Sequence, residues 1–168
     1  MLIVFSGLPA VGKTTISRLL AEKTNAVYLR IDSIEQALIT SGEIKQAEMG
    51  GAGYFVAYAV ARDNLKLGRM VIADCVNPIE LTRDAWKQIA NQSASKILNI
   101  EIICSDQIEH QRRAETRKAD IQNHQLPKWS DIIKHDYDKN NQVDFKIDSA
   151  QHTADESVNM IISLLKML

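Results

Sequence analysis

The chain has 168 residues, 45% of them hydrophobic, and a formal net charge of −1. That length suits one domain, a five-stranded sheet with helices on both faces, and leaves no room for a second helical domain. The balanced charge gives no global field toward nucleic acid or an anionic membrane. No apolar run approaches membrane-spanning length, and the first one is too short for a secretory signal, so a cytoplasmic location is expected.

Leu2 to Phe5 reads as a buried strand. The next residues, Gly7-Leu8-Pro9-Ala10-Val11-Gly12-Lys13-Thr14, complete the pattern G-x-x-x-x-G-K-S/T. Thr15 to Lys23 then reads as a helix. A nest of backbone N–H groups there, with the positive end of the following helix, makes a phosphate site. The run Gly7 to Thr15 is therefore the expected nucleotide cradle. Lys13 would reach the β/γ-phosphates, and Thr14 would offer its hydroxyl to Mg²⁺.

Ala26 to Ile31 reads as the second strand, and a helix starts at Asp32. A carboxylate there can serve as general base toward an acceptor hydroxyl. Asp32-Ser33-Ile34-Glu35 is equally a capping arrangement, and the two roles are compatible. Glu48 to Leu67 reads as helical, opened by Gly50-Gly51-Ala52-Gly53 and closed by Gly68. Those glycines would hinge a helix, admit a ligand against backbone, or only form a loop.

Met70 to Ala73 reads as the third strand. Asp74 after it fits a Walker B acid that holds Mg²⁺, or else a solvated Asp at a strand–helix junction. Asn77-Pro78 is expected to cap the next helix, with Glu80 three residues on. Ile97 to Cys104 reads as the fourth strand. A polar helix from Asp106 to about Asp120 carries Arg112, Arg113 and Arg117. Arg113 and Arg117, four apart, would share a face and stabilise a transferring phosphoryl group. Otherwise this is a solvated helix whose arginines pair with Glu109 and Glu115. A loop ending at Leu126-Pro127, a short helix through Ile133, a strand Val143 to Ile147 and a core-packed C-terminal helix from Met160 complete the chain. Cys75 and Cys104 show no metal spacing and read as small buried thiols. His110, Trp86 and Trp129 read as packing or surface residues.

Alternating strands and helices imply an α/β three-layer α/β/α sandwich around a five-stranded parallel sheet, with the site at the strands' carboxyl ends. In this order the elements resemble the P-loop kinases that phosphorylate small molecules or nucleic-acid ends. These include chloramphenicol phosphotransferase, adenylylsulfate kinase, gluconate kinase, zeta toxins and polynucleotide kinase. Cys104-Ser105-Asp106 with His110 to Arg117 is similar to the lid start of the AAA_33-type kinase branch. The resemblance implies a single P-loop kinase domain over residues 1–168 with a mobile Arg-rich lid at about 106–127. It implies ATP and Mg²⁺, with Lys13, Asp32, Arg113 and Arg117 as catalytic residues and Thr14 and Asp74 at the metal. Asp32-Ser33-Ile34 lacks the second aspartate of shikimate kinases, and Asp74-Cys75-Val76-Asn77 lacks their glycine run. The Glu-Arg-Ser of deoxynucleoside kinases is missing too, as is the Asn-Lys-x-Asp by which GTPases read guanine. Three functions follow: a kinase for a small-molecule hydroxyl, a 5′-hydroxyl polynucleotide kinase, or a nucleotide-dependent ATPase or switch. The acceptor and the oligomeric state are not specified by these residues.

Overall fold

A computed structural model describes residues 1–168. Five strands, β1 (Leu2–Ser6), β2 (Val27–Arg30), β3 (Val71–Asp74), β4 (Ile97–Ile103) and β5 (Phe145–Asp148), form one sheet in the order β2-β3-β1-β4-β5. All neighbours are parallel, so every carboxyl end opens on the same edge. Seven helices complete the fold: α1 (Lys13–Thr24), α2 (Ile31–Thr40), α3 (Ala52–Lys66), α4 (Glu80–Gln92), α5 (Gln107–Thr116), α6 (Trp129–Ile132) and α7 (Ala154–Leu165).

Both faces of the sheet are covered because successive strand residues point to opposite sides. Leu2, Val4, Val71 and Ala73 pack with Ala57 and Ala61 of α3 and Trp86 and Ala90 of α4. Ile3, Phe5, Ile72 and Ile100 pack with Ile16 and Leu20 of α1 and Val158 and Ile161 of α7. Strand β1, buried throughout, lies in the middle with β3 and β4 beside it. The chain leaves β1 toward β2 on one side and leaves β4 toward β5 on the other. That reversal opens a crevice at the carboxyl end of β1, where ligands bind in open α/β sheets.

Several sequence-based boundaries shift. α2 begins at Ile31 with Arg30 at its N-cap and no side-chain cap, so Asp32 lies inside the first turn and caps nothing. α4 begins at Glu80 after Ile79, so neither Asn77 nor Pro78 opens it. Asn77 instead has a left-handed backbone, φ 51°, in the turn before it. α5 ends at Thr116, and the chain turns extended at Arg117. Arg113 and Arg117 therefore do not share a helix face. The last helix starts at Ala154, where Thr153 and Glu156 form a capping box. Met167 and Leu168, beyond its end, are exposed rather than packed in the core. Both cysteines are free thiols; Cys75 is buried and Cys104 is half-buried.

Candidate active site

The loop from β1 to α1 wraps the amino end of α1. Gly12, at its N-cap, has φ 100° and offers no capping side chain. The first-turn N–H groups are thus left for a ligand. Gly7 has φ 132°, and a Cβ on it would stand 2.2 Å from the backbone oxygen of Ile102. No other residue fits there, because neither the conformation nor the neighbouring β4 backbone can give way. The Gly7 N–H donates to the Val76 carbonyl at 3.1 Å, which ties the loop to the β3–α4 turn.

Lys13 is 7% exposed, and its Nζ donates to the Leu8 carbonyl at 2.8 Å. Burial pulls its pKa below the ordinary lysine value, and the nearby Asp74 and Asp32 oppose that pull. The ammonium is folded back over its own loop, beside the space that a phosphate would fill. A cleft of about 940 Å³ opens there. Lys13, Thr14, Asp32, Asp74, Arg113 and Arg117 all line it.

Asp74 ends β3 at 3% exposure, and its Oδ2 accepts the Tyr28 hydroxyl at 2.7 Å. Arg30, paired with Asp74 in the sheet register, brings Nε to 4.0 Å from the same oxygen. Arg30 also stands 3.7 Å from Asp32 and donates to Asp120 Oδ2 at 2.8 Å. Burial works against its charge, but Asp120, Asp32 and Asp74 together hold its pKa above the ordinary value. Arg30 thus ties together carboxylates from α2, β3 and the segment after α5.

The two arginines expected to act together differ. Each nitrogen of Arg113 is engaged: it donates to Glu109 at 2.7 Å and to the Ser149 hydroxyl and carbonyl at 2.9 and 3.1 Å. It fastens α5 to the turn after β5. Arg117 has Nε and Nη2 buried without any partner. Burial lowers its pKa, and Asp32 is the charge that opposes this. A buried guanidinium with unused donors is costly unless an anion completes it. Arg112 and Arg113 hold the Glu109 carboxyl down at about 2, whereas Glu115 accepts only from Gln111.

Further contacts seat the lid segment. A His110 ring nitrogen lies 2.8 Å from the Pro9 carbonyl, and the ring meets Trp129 edge-on. Asp120 accepts from both Arg18 and Arg30. The sequence reading missed Arg30, Tyr28 and Asp120. Tyr28 and Arg30 are two apart on one strand, so the period-two rule places both on the face toward Asp74. Asp120 gives no such signal, because its partners are about ninety or more residues away in the chain.

No group of three or more His, Cys, Asp or Glu side chains is arranged to hold a metal alone. Thr14 and Asp74 suit Mg²⁺, a hard oxygen-seeking ion that takes one or two protein ligands and completes its shell with phosphate and water. The uncapped α1 terminus and the orphaned Arg117 donors fit a polyphosphate. No helix is long and apolar enough to cross a membrane.

A family model described as an AAA domain (AAA_33) matches residues 2–131. No curated protein matches the chain. Among solved structures, the chain is similar to Mycobacterium tuberculosis APS kinase CysC in complex with AMPPNP and APS, at 16% identity and TM-score 0.72, covering 98% of this chain and 96% of that one. It is similar to a sugar kinase from Janibacter sp. HTCC2649, at 14% identity and TM-score 0.70, over 98% and 94% of the two chains. Kti12 of Chaetomium thermophilum in complex with ADP-AlF3 aligns at 16% identity and TM-score 0.66, over 98% and 97%. The fold is that of the P-loop NTPases, in the form shared by these solved structures.

Proposed function

Because this chain belongs to the AAA_33 family of P-loop kinases, we propose that it is an ATP-dependent phosphotransferase acting on a hydroxyl of a small-molecule acceptor. The observation that carries this reading is the half-buried Arg117, whose Nε and Nη2 are buried without a partner, lining the same cleft as Asp32 and the phosphate loop. A nucleotide-binding module would need the loop alone. A transferase also needs a base and a cation on the far side of the γ-phosphate.

In this mechanism the loop Gly7 to Thr15 holds the β- and γ-phosphates through backbone N–H groups. Lys13 exchanges its bond to the Leu8 carbonyl for a phosphate oxygen. Thr14 and Asp74 would hold Mg²⁺, which would neutralise charge at the phosphates. Asp32 accepts the proton of the acceptor hydroxyl. The acceptor oxygen forms its bond to the γ-phosphorus as the bond to the β,γ-bridging oxygen breaks, and ADP leaves. Arg117 stabilises charge on the transferred group, worth about 10³–10⁵ in rate for an arginine in this role. Arg113 shapes the nucleotide wall at Ser149 and anchors the lid, residues 106–127, to the turn after β5.

The test is ADP release with ATP and Mg²⁺, with and without an acceptor panel, for the wild type and Lys13→Ala. The expected result is acceptor-dependent ADP release that Lys13→Ala abolishes while its melting temperature is kept. Acceptor-independent turnover would point instead to an ATPase, and full turnover by Lys13→Ala would overturn the site.

A further inference from the structure

His110 stands behind the phosphate loop rather than in the cleft. It is 6% exposed on α5, and its Nε2 lies 2.8 Å from the Pro9 carbonyl. Pro9 and Ala10 line the cleft, and His110 does not. A carbonyl only accepts, so Nε2 carries a hydrogen and the ring donates. Trp129 meets that ring edge-on, with 5.0 Å between the centroids, and packs it from the α6 side.

The bond fixes the direction of one peptide unit. In a planar trans peptide the C=O and the N–H point opposite ways. With the Pro9 carbonyl on His110, the Ala10 N–H is turned away from His110. Pro9 has no N–H, so Ala10 supplies the loop's one backbone donor between Leu8 and Val11. Ala10 has φ 67°, a left-handed conformation that is unfavourable for a residue with a Cβ. Turning the Pro9–Ala10 peptide over would return Ala10 to an ordinary negative φ, so the observed direction needs a restraint. The loop's other ties do not reach this peptide. The Gly7 N–H donates to the Val76 carbonyl, Lys13 Nζ to the Leu8 carbonyl, and the Ile16 N–H to the Gly12 carbonyl. Between Gly7 and Ile16 no backbone N–H has a backbone acceptor.

We propose, resting on the nucleotide site described above, that His110 is a positioning residue for the phosphate loop. It holds the Pro9 carbonyl out of the cradle and so presents the Ala10 N–H to a nucleotide phosphate. With the peptide turned over, the cradle would lose one donor and gain a carbonyl oxygen that repels the phosphate. The same bond seats α5, which carries Arg113 and runs on to Arg117, against the loop that holds the phosphates.

The experiment reads nucleotide affinity, which needs no acceptor. AMPPNP with Mg²⁺ is titrated calorimetrically into the wild type, His110→Leu, His110→Asn and His110→Gln. Gln carries its amide nitrogen as many bonds from Cβ as the imidazole Nε2, whereas Asn carries it where Nδ1 stands. His110→Leu and His110→Asn should raise Kd by about three- to tenfold, the weight of one hydrogen bond, while His110→Gln stays within about twofold of the wild type. Loss of the ring's packing on Trp129 is common to all three variants and would not give this order. Nitrogen NMR of the ligand-free wild type should show a hydrogen on the His110 Nε2. An unchanged Kd in His110→Leu, equal Kd values in His110→Asn and His110→Gln, or a ring protonated at Nδ1 alone overturns the role of His110 and leaves the nucleotide site standing. Failure of the wild type to bind AMPPNP with Mg²⁺ overturns the nucleotide site itself.

Discussion

At the scale of single residues, Asp32 separates a catalytic role from a structural one more cleanly than the sequence allows. As a cap it would hold α2 together, and any substitution would mix stability with chemistry. In the structure it caps nothing, is half-exposed, and makes one ion pair, with Arg30 at 3.7 Å. Its charge near a helix N-terminus contributes about 0.3–1 kcal/mol, and its half-exposed pairing with Arg30 at 3.7 Å adds little more. Asp32→Asn should therefore keep the melting temperature and ATP affinity while kcat with the true acceptor falls by about 10²–10⁴. Wild-type kcat in that variant would remove Asp32 as the base and make Asp74 the next candidate. The phosphate-loop residues were legible because their spacing encodes backbone geometry as well as chemistry: Gly7 and Gly12 stand where φ is positive and no Cβ fits or none is favoured. Arg113 and Arg117 were legible as residues but not as roles. Which guanidinium is spent on Ser149 and which is left unpaired depends on where α5 stops, and helix ends are weakly encoded when a polar segment continues past them.

Among the elements, α2 and α3 are the pair whose packing carries an electrostatic cost. Glu35 is buried against Gly53, beside Asp32 and Tyr54, and its carboxyl titrates near 7 rather than at its ordinary 4.5. The folded state thus holds a proton that the unfolded state has released. Between those two values the native protein binds more protons than the unfolded chain, so stability from this residue falls as pH rises. Glu35→Gln removes that dependence. Relative to the wild type, its melting temperature should rise as pH goes from about 5 to about 8. A constant difference across that range would show that the carboxyl is not held in this environment. The strand–helix order was readable from period-two and helical spacing, but this contact was not. Gly53 looked like part of a flexible glycine cluster, whereas it lies within the first turn of α3 and makes room for a side chain from α2. Asn77 misled for a related reason: an Asn-Pro pair fits a helix start, yet its backbone turns left-handed to reach Tyr54 and Arg83.

Over the whole molecule, the cleft is where several separate elements meet at the carboxyl edge of the sheet. Its walls come from the phosphate loop, the ends of β2 and β3, the segment after α5 and the turn after β5. Three side chains bridge those parts across the opening: His110 to Pro9, Arg113 to Ser149, and Asp120 to Arg18 and Arg30. A polyphosphate in the cleft would add bonds to the loop and to Arg117 at once, and none of these exists in the unfolded chain. Binding only to the native state raises stability by RT ln(1 + [L]/Kd), about 2.7 kcal/mol at a hundredfold excess over Kd. For a chain of this size that corresponds to roughly 5–10 °C in melting temperature. ATP with Mg²⁺ should give such a shift in a thermal unfolding scan. Lys13→Ala, which removes the buried ammonium from the phosphate side, should lose most of it. Arg117→Ala tests the other wall. It removes an unpaired buried guanidinium, so the ligand-free protein should be as stable as the wild type or more stable, while the shift with ATP becomes smaller. If Arg117→Ala instead destabilises the ligand-free protein and leaves the ATP shift intact, then Arg117 is paired within the fold and does not await a phosphate.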